Sequence, residues 1–208
     1  MSGYCNCGSR IKHTKYEEET RDKSKAKILS TKLFIDKIAN FIRRTPRNQH
    51  VYISIIDRAN QPMTKRVIKA LSSRVDLGRN WDENIHYESF CCCYREKSQP
   101  LIGTKYTITD SYDVYKNQIH NNHIIIHDCM RTPRYTLDEL MPLFANDEWK
   151  RLMIIAVFTK SRCPPRLQAD IKGEVAQIAK NKAWLSTIGN EQRYRGAMYY
   201  IDIRLARI

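Results

Sequence analysis

His120, His123, His127 and Cys129 fall within one short segment and are of the types that ligate zinc. On an extended strand alternate residues share a face, so His123, His127 and Cys129 are expected to project together. At a rise of about 3.3 Å per residue, His123 and His127 lie about 13 Å apart, and one ion reaches both only if the chain bends. Hydrogen-bonded or solvent-facing histidines are therefore the expectation. Cys5 and Cys7 form a closer thiol pair, but no second pair stands at zinc-finger spacing. Cys91, Cys92 and Cys93 are consecutive and read as small hydrophobes within a strand, with no base specified beside them. Acidic residues at strand ends suggest a second chemistry. Asp57 closes an apolar run, and with Glu88 and Asp128 it would hold a divalent ion for phosphodiester cleavage, the enzymatic alternative. Neither GxxxxGK[ST] nor GxGxxG occurs, so no nucleotide-driven chemistry and no cofactor are expected.

The charge points to an anionic partner. The 208 residues carry 36 Lys plus Arg against 22 Asp plus Glu, a formal charge of +14. Residues 1–50 and 151–208 are each net +7, whereas residues 101–150 are net −2. Arg43, Arg44 and Arg47, then Lys65, Arg66 and Lys69, then Arg193 and Arg195 recur between core-forming segments. That is the pattern of surface loops that each contact a phosphate backbone, and Tyr194 between two arginines would stack on unpaired bases. Single-stranded nucleic acid is the favoured partner. A second copy of the chain and an anionic membrane surface are the others considered. No apolar run reaches the roughly 18 residues of a membrane span. The first residues lack an apolar stretch after their charges, so a cleaved secretory signal is not expected. Seven cysteines, an odd number, read as reduced thiols in the cytoplasm or nucleus of a host cell.

The elements that must position these residues follow from periodicity. Residues 1–23 are polar and read as a flexible lead-in, ahead of a single β-rich domain over 24–208. Apolar residues at Ile28, Leu29, Leu33, Phe34, Ile38, Phe41 and Ile42 predict an amphipathic helix that ends before Pro46. Val51 to Asp57 predicts a strand, as do Asn84 to Tyr94, Gly103 to Thr109 and His123 to Cys129. Leu152 to Phe158 reads as a strand buried on both faces, and Met198 to Ile208 as a strand with one polar face. Thr136 to Glu139 fits a capping box, and Gly173 to Lys182 reads as a short helix. Thr64 to Val75 is compatible with either a helix or an extended segment. Strands outnumber helices, and the connections read as short for crossovers. The expectation is an α+β chain with a mainly antiparallel β core and flanking helices.

Val51-Tyr-Ile-Ser-Ile-Ile-Asp57-Arg58, Asn84-Ile-His-Tyr-Glu-Ser-Phe90 and Thr104-Lys-Tyr-Thr-Ile-Thr109 resemble the core of plant-virus movement proteins of the thirty-kilodalton superfamily. In that family a hydrophobic strand ends in an aspartate, here Asp57. The resemblance implies a jelly-roll-related β domain that binds single-stranded nucleic acid and acts with host membranes or further copies of itself. A small viral capsid protein is similar in architecture and charge. Together, charge and resemblance lead to the expectation of a basic, viral nucleic-acid-binding protein with a movement, packaging or assembly role. A matrix or assembly protein on anionic membrane is the non-enzymatic alternative.

Overall fold

Val51–Ile56 and Ile124–His127 are buried along almost their whole length, so each must be covered from both sides. The computed structural model describes residues 25–57, 61–78, 80–91, 104–108, 115, 123–128, 133–145, 152–160, 166–189, 192–195 and 198–207. Within them the elements are α1 (Lys25–Arg44), β1 (Val51–Ile56), α2 (Pro62–Ser72), a 3-10 turn (Val75–Leu77), β2 (Ile85–Cys91), β3 (Thr104–Ile108), β4 (Ile124–His127), α3 (Pro133–Ala145), β5 (Leu152–Lys160), α4 (Arg166–Asn181), β6 (Trp184–Ile188), β7 (Gln192–Arg195) and β8 (Met198–Arg207). The described strands join one sheet in the order β3-β2-β1-β4-β5-β8-β6, with β7 also paired to β8. Strands β1 to β5 are mutually parallel. Only β8 reverses, running antiparallel to β5, β6 and β7.

This corrects the expected antiparallel, jelly-roll-like core. A parallel neighbour needs a crossover of about a dozen residues or more. Residues 57–84, 92–103, 109–123 and 128–151 meet that length, and α2 and α3 lie in two of them. The undecided Thr64 to Val75 segment is largely helix α2. The capping box at Thr136 lies inside α3, which starts three residues earlier at Pro133. The helix expected from Gly173 begins at Arg166, and β6 and β7 were not foreseen. The lead-in at 1–23 lies outside the described residues.

Strand alternation divides the interior in two. Ile53 and Ile55 point toward Phe34, Ile38 and Ile42 of α1 and Val67 and Leu71 of α2. Ile56, Ile125 and Ile155 point the other way, to Leu140 and Phe144 of α3 and Val175 of α4. Tyr200 of β8 meets Phe34 edge-on at 6.4 Å, and burial, aided by the charge of Asp202, pushes its phenol above the usual range. Lys37 of α1 pairs with Asp202. A Cβ at Gly189 would run into the Asp202 carboxylate, so a larger residue there would displace that side chain from its place beside Lys37. Among the described residues, no helix is long and apolar enough to cross a membrane.

Candidate active site

In an open parallel sheet the crevice lies beyond the carboxyl ends of two neighbouring strands whose connections leave in opposite directions. Here those strands are β1 and β4, because β1 leads to β2 on one side whereas β4 leads to β5 on the other. The register pairs Ile56 with His127, so Asp57 and Asp128 follow as the next neighbours, with backbones about 4.8 Å apart. Asp128 N donates to Ile56 O at 3.0 Å, and Asp57 N donates to Phe90 O at 2.8 Å. Both carboxylates are buried, at 5% and 4% exposure, and alternation directs both toward the α1 and α2 side.

Local sequence accounts for how Asp57 is held. Helix α2 starts with Pro62, where a missing N–H costs nothing. Its N-cap, Gln61, adopts a left-handed conformation (φ 53°) and supplies no side-chain cap. Asp57 does that work from the strand end: its Oδ2 accepts from Thr64 N at 2.8 Å and from Thr64 Oγ1 at 3.0 Å. Thr64 Oγ1 is also 3.1 Å from Ser89 Oγ of β2. One carboxylate thus joins β1 to the first turn of α2, with β2 bound through the hydroxyls. Left-handed geometry in a non-glycine residue costs about 1–2 kcal/mol, and here it sits at the entrance to the crevice. Behind Asp128, His127 contacts the Tyr115 hydroxyl at 2.6 Å and Glu139 at 3.1 Å.

The residues expected to bind phosphate do not share this site. Arg43 and Arg44 close α1 and Arg47 follows, at the opposite end of the sheet, where β1 begins. Arg43 hydrogen-bonds Asn40 and lies 3.5 Å from Asp76. Lys65 and Lys69 are exposed and Arg66 half-buried on α2. Arg193, Tyr194 and Arg195 lie on β7, which pairs with the start of β8 beside the carboxyl end of β5. The basic clusters therefore divide between the two ends of the sheet because their elements do.

Of the proposed nuclease carboxylates, Asp57 and Asp128 do meet. Glu88 does not, because it pairs in register with Ser54, faces away from Asp57 and contacts Lys105 at 3.4 Å. Among the described residues no three His, Cys, Asp or Glu side chains converge on a metal position. His123 and His127 occupy opposite ends of β4: His123 packs on Phe41 at 5.7 Å, and His127 faces Tyr115. His120, Cys129, Cys5, Cys7, Cys92 and Cys93 lie outside the described residues. Sequence reasoning missed Gln61, Thr64, Ser89, Tyr115 and Glu139. The available signal was Pro62, because proline opens helices as well as breaking strands.

No protein-family model matches the chain, and no curated protein sequence matches it. Solved structures do. The plantazolicin methyltransferase BpumL, solved in complex with a triazolic desmethylPZN analog and SAH, superposes with a TM-score of 0.57 at 11% identity, over 91% of this chain and 88% of that one. The CurJ carbon methyltransferase gives a TM-score of 0.55 at 10% identity; 89% of this chain covers 56% of that one, so the match spans little more than half of its length. A probable spermidine synthase from Corynebacterium glutamicum gives 0.51 at 11% identity, over 86% and 63%. These likenesses overturn the resemblance to movement and capsid proteins and the jelly-roll architecture it implies, and they point away from the nucleic-acid-binding, nuclease and matrix roles. The strand order and these neighbours together identify the architecture of this chain as the methyltransferase-like fold.

Proposed function

We propose that the chain is an S-adenosylmethionine-dependent methyltransferase whose site is the crevice at the carboxyl ends of β1 and β4. The observation that carries this reading is the pair of buried carboxylates, Asp57 and Asp128, at the point where the connections diverge. The donor set suits the cofactor. S-adenosylmethionine carries a sulfonium, an ammonium and a ribose diol but no phosphate, so a sequence without a phosphate-cradling glycine loop is no obstacle. Two like charges side by side in a desolvated crevice favour a cation or hydroxyl donors between them. Asp57 and Asp128 would hold the cofactor, which when bound supplies an electrophilic methyl group. Asp57, through Thr64, keeps the start of α2 against β1 and so fixes the wall of the crevice. Asp128 places a second buried carboxylate at the neighbouring strand end, where it would serve as an acceptor for an N–H or O–H of the cofactor. The odd cysteine count, with three in a row, supports a reducing intracellular compartment.

Isothermal titration of the full chain with S-adenosylmethionine and with S-adenosylhomocysteine, using ATP as the comparison, tests the proposal. Binding of both with a Kd near 1 μM, about −8 kcal/mol, is expected, with no heat from ATP. Asp128→Asn should weaken S-adenosylmethionine about tenfold, or roughly 1.4 kcal/mol. Failure of the unaltered chain to bind either compound overturns the assignment.

A further inference from the structure

The end of β4 carries a second set of polar side chains that the proposed reaction does not use. His127 is 0% exposed within the core that α3 and α4 cover. Its Nδ1 lies 2.6 Å from the hydroxyl of Tyr115, itself fully buried. Its Nε2 lies 3.1 Å from Glu139 Oε2 on α3, also buried. Three polar groups among Ile56, Phe90, Ile125 and Leu140 are each desolvated, so apolar residues of the same volume would cost less. Apolar contact alone tolerates alternative packings, whereas a buried hydrogen bond holds one. This bond joins position 115 to β4, and Glu139 brings in α3. The residue after His127 is Asp128.

We infer that His127 is a positioning residue: Tyr115 and Glu139 clamp its ring, and the clamped strand end holds Asp128 in the crevice. The inference rests on the reading of that crevice as the S-adenosylmethionine site. The 2.6 Å contact needs one proton. Tyr115 O–H donates to Nδ1, which leaves the ring proton on Nε2, facing the Glu139 carboxylate. Tyr115 provides the shorter contact, at 2.6 Å, and the Glu139 carboxylate, at 3.1 Å, an electrostatic bias on the opposite ring nitrogen. Neither group touches the reacting atoms. Their effect reaches the site through the backbone between His127 and Asp128.

The test combines ring ¹⁵N spectra of histidine-labelled full chain with titration of S-adenosylmethionine, for the unaltered protein, Tyr115→Phe and Glu139→Gln. Tyr115→Phe removes one oxygen and preserves shape. His127 should appear as the Nε2–H tautomer in the unaltered chain and as a mixture in Tyr115→Phe. Cofactor affinity should fall about tenfold in Tyr115→Phe, or roughly 1.4 kcal/mol, and by less in Glu139→Gln. Ring shifts unmoved in both variants overturn the clamp, whether or not the cofactor binds. Moved shifts with unchanged affinity overturn the positioning role. A chain that binds no cofactor overturns the site reading and the positioning role with it, leaving the clamp to be judged by the ring shifts alone.

Discussion

The two ends of the same sheet hold similar side chains in opposite circumstances. At the amino end, His50, His86, Tyr52 and His123 form a ladder of rings, with successive centroids at 4.9, 4.7 and 6.4 Å. His50 Nδ1 and His86 Nε2 meet at 2.7 Å in an exposed contact. Beside them Arg74 pairs with Asp76 at 2.7 Å, again at the surface. At the carboxyl end, Asp57, Thr64, Ser89, His127 and Asp128 are all buried and joined by hydrogen bonds to strand ends and a helix start. Water competes for the contacts of His50 and Asp76 at the amino end and is excluded from those of Asp57 and His127 at the carboxyl end. Composition therefore does not distinguish the ends. Desolvation does, and it makes Asp57 costly to remove and His50 cheap.

The largest expected effect is at Asp57. Asp57→Ala strands the buried Thr64 N–H, leaves the Thr64 hydroxyl with Ser89 alone, and should lower unfolding stability by about 2–3 kcal/mol in a urea titration. A loss no larger than that of a surface substitution would erase the contrast between the ends. Gln61→Gly should cost less than Asp57→Ala, because relief of about 1 kcal/mol of left-handed backbone strain offsets part of the loss of a buried side chain. Cofactor titration of that variant would sharpen the comparison by showing whether the strained cap matters to binding. His50→Ala should change stability by about 0.5 kcal/mol or less, as an exposed contact that water replaces.

The smallest effect belongs to the exposed ion pair. Hydrogen bonds from Arg74 hold the Asp76 carboxyl below its ordinary value of 3.8. A depressed folded-state value means that the contribution is present above the unfolded value and lost as pH falls through the folded one. Asp76→Asn should therefore lower stability slightly at neutral pH while leaving the second Arg74 pair, to Asp36, in place. The difference from the unaltered chain should begin to shrink as pH falls below about 4, and it should shrink in high salt, which acid unfolding at two ionic strengths would measure.

The first helix was legible because its buried stripe, Phe34, Ile38 and Ile42, repeats at four residues, although Ile28 and Leu33 of the same pattern stay exposed. The strands from Val51, Ile124 and Leu152 were legible as apolar runs. Their parallel pairing was readable in principle, because strands without a polar face need cover on both sides. That cue was set aside through a misjudged crossover length. Asp57 was legible as the end of a strand, and of the two carboxylates expected to approach it Asp128 does so and Glu88 does not. Thr64 and Ser89 left no trace, because an isolated hydroxyl in a sequence does not reveal the carboxylate it will meet 7 residues away or the strand it will meet 25 away.

The sequence by itself determined the local units: where apolar periodicity makes a helix and where β-branched runs make strands. It also determined the total charge, but not where that charge would gather. Only the tertiary structure decided the parallel order β3-β2-β1-β4-β5, the meeting of Asp57 with Asp128, and the enclosure of His127 between Tyr115 and Glu139. Periodicity is set by neighbours three or four residues apart and survives in any fold. Strand order and burial depend on contacts between distant segments, whose energies exist only once the sheet has closed around them.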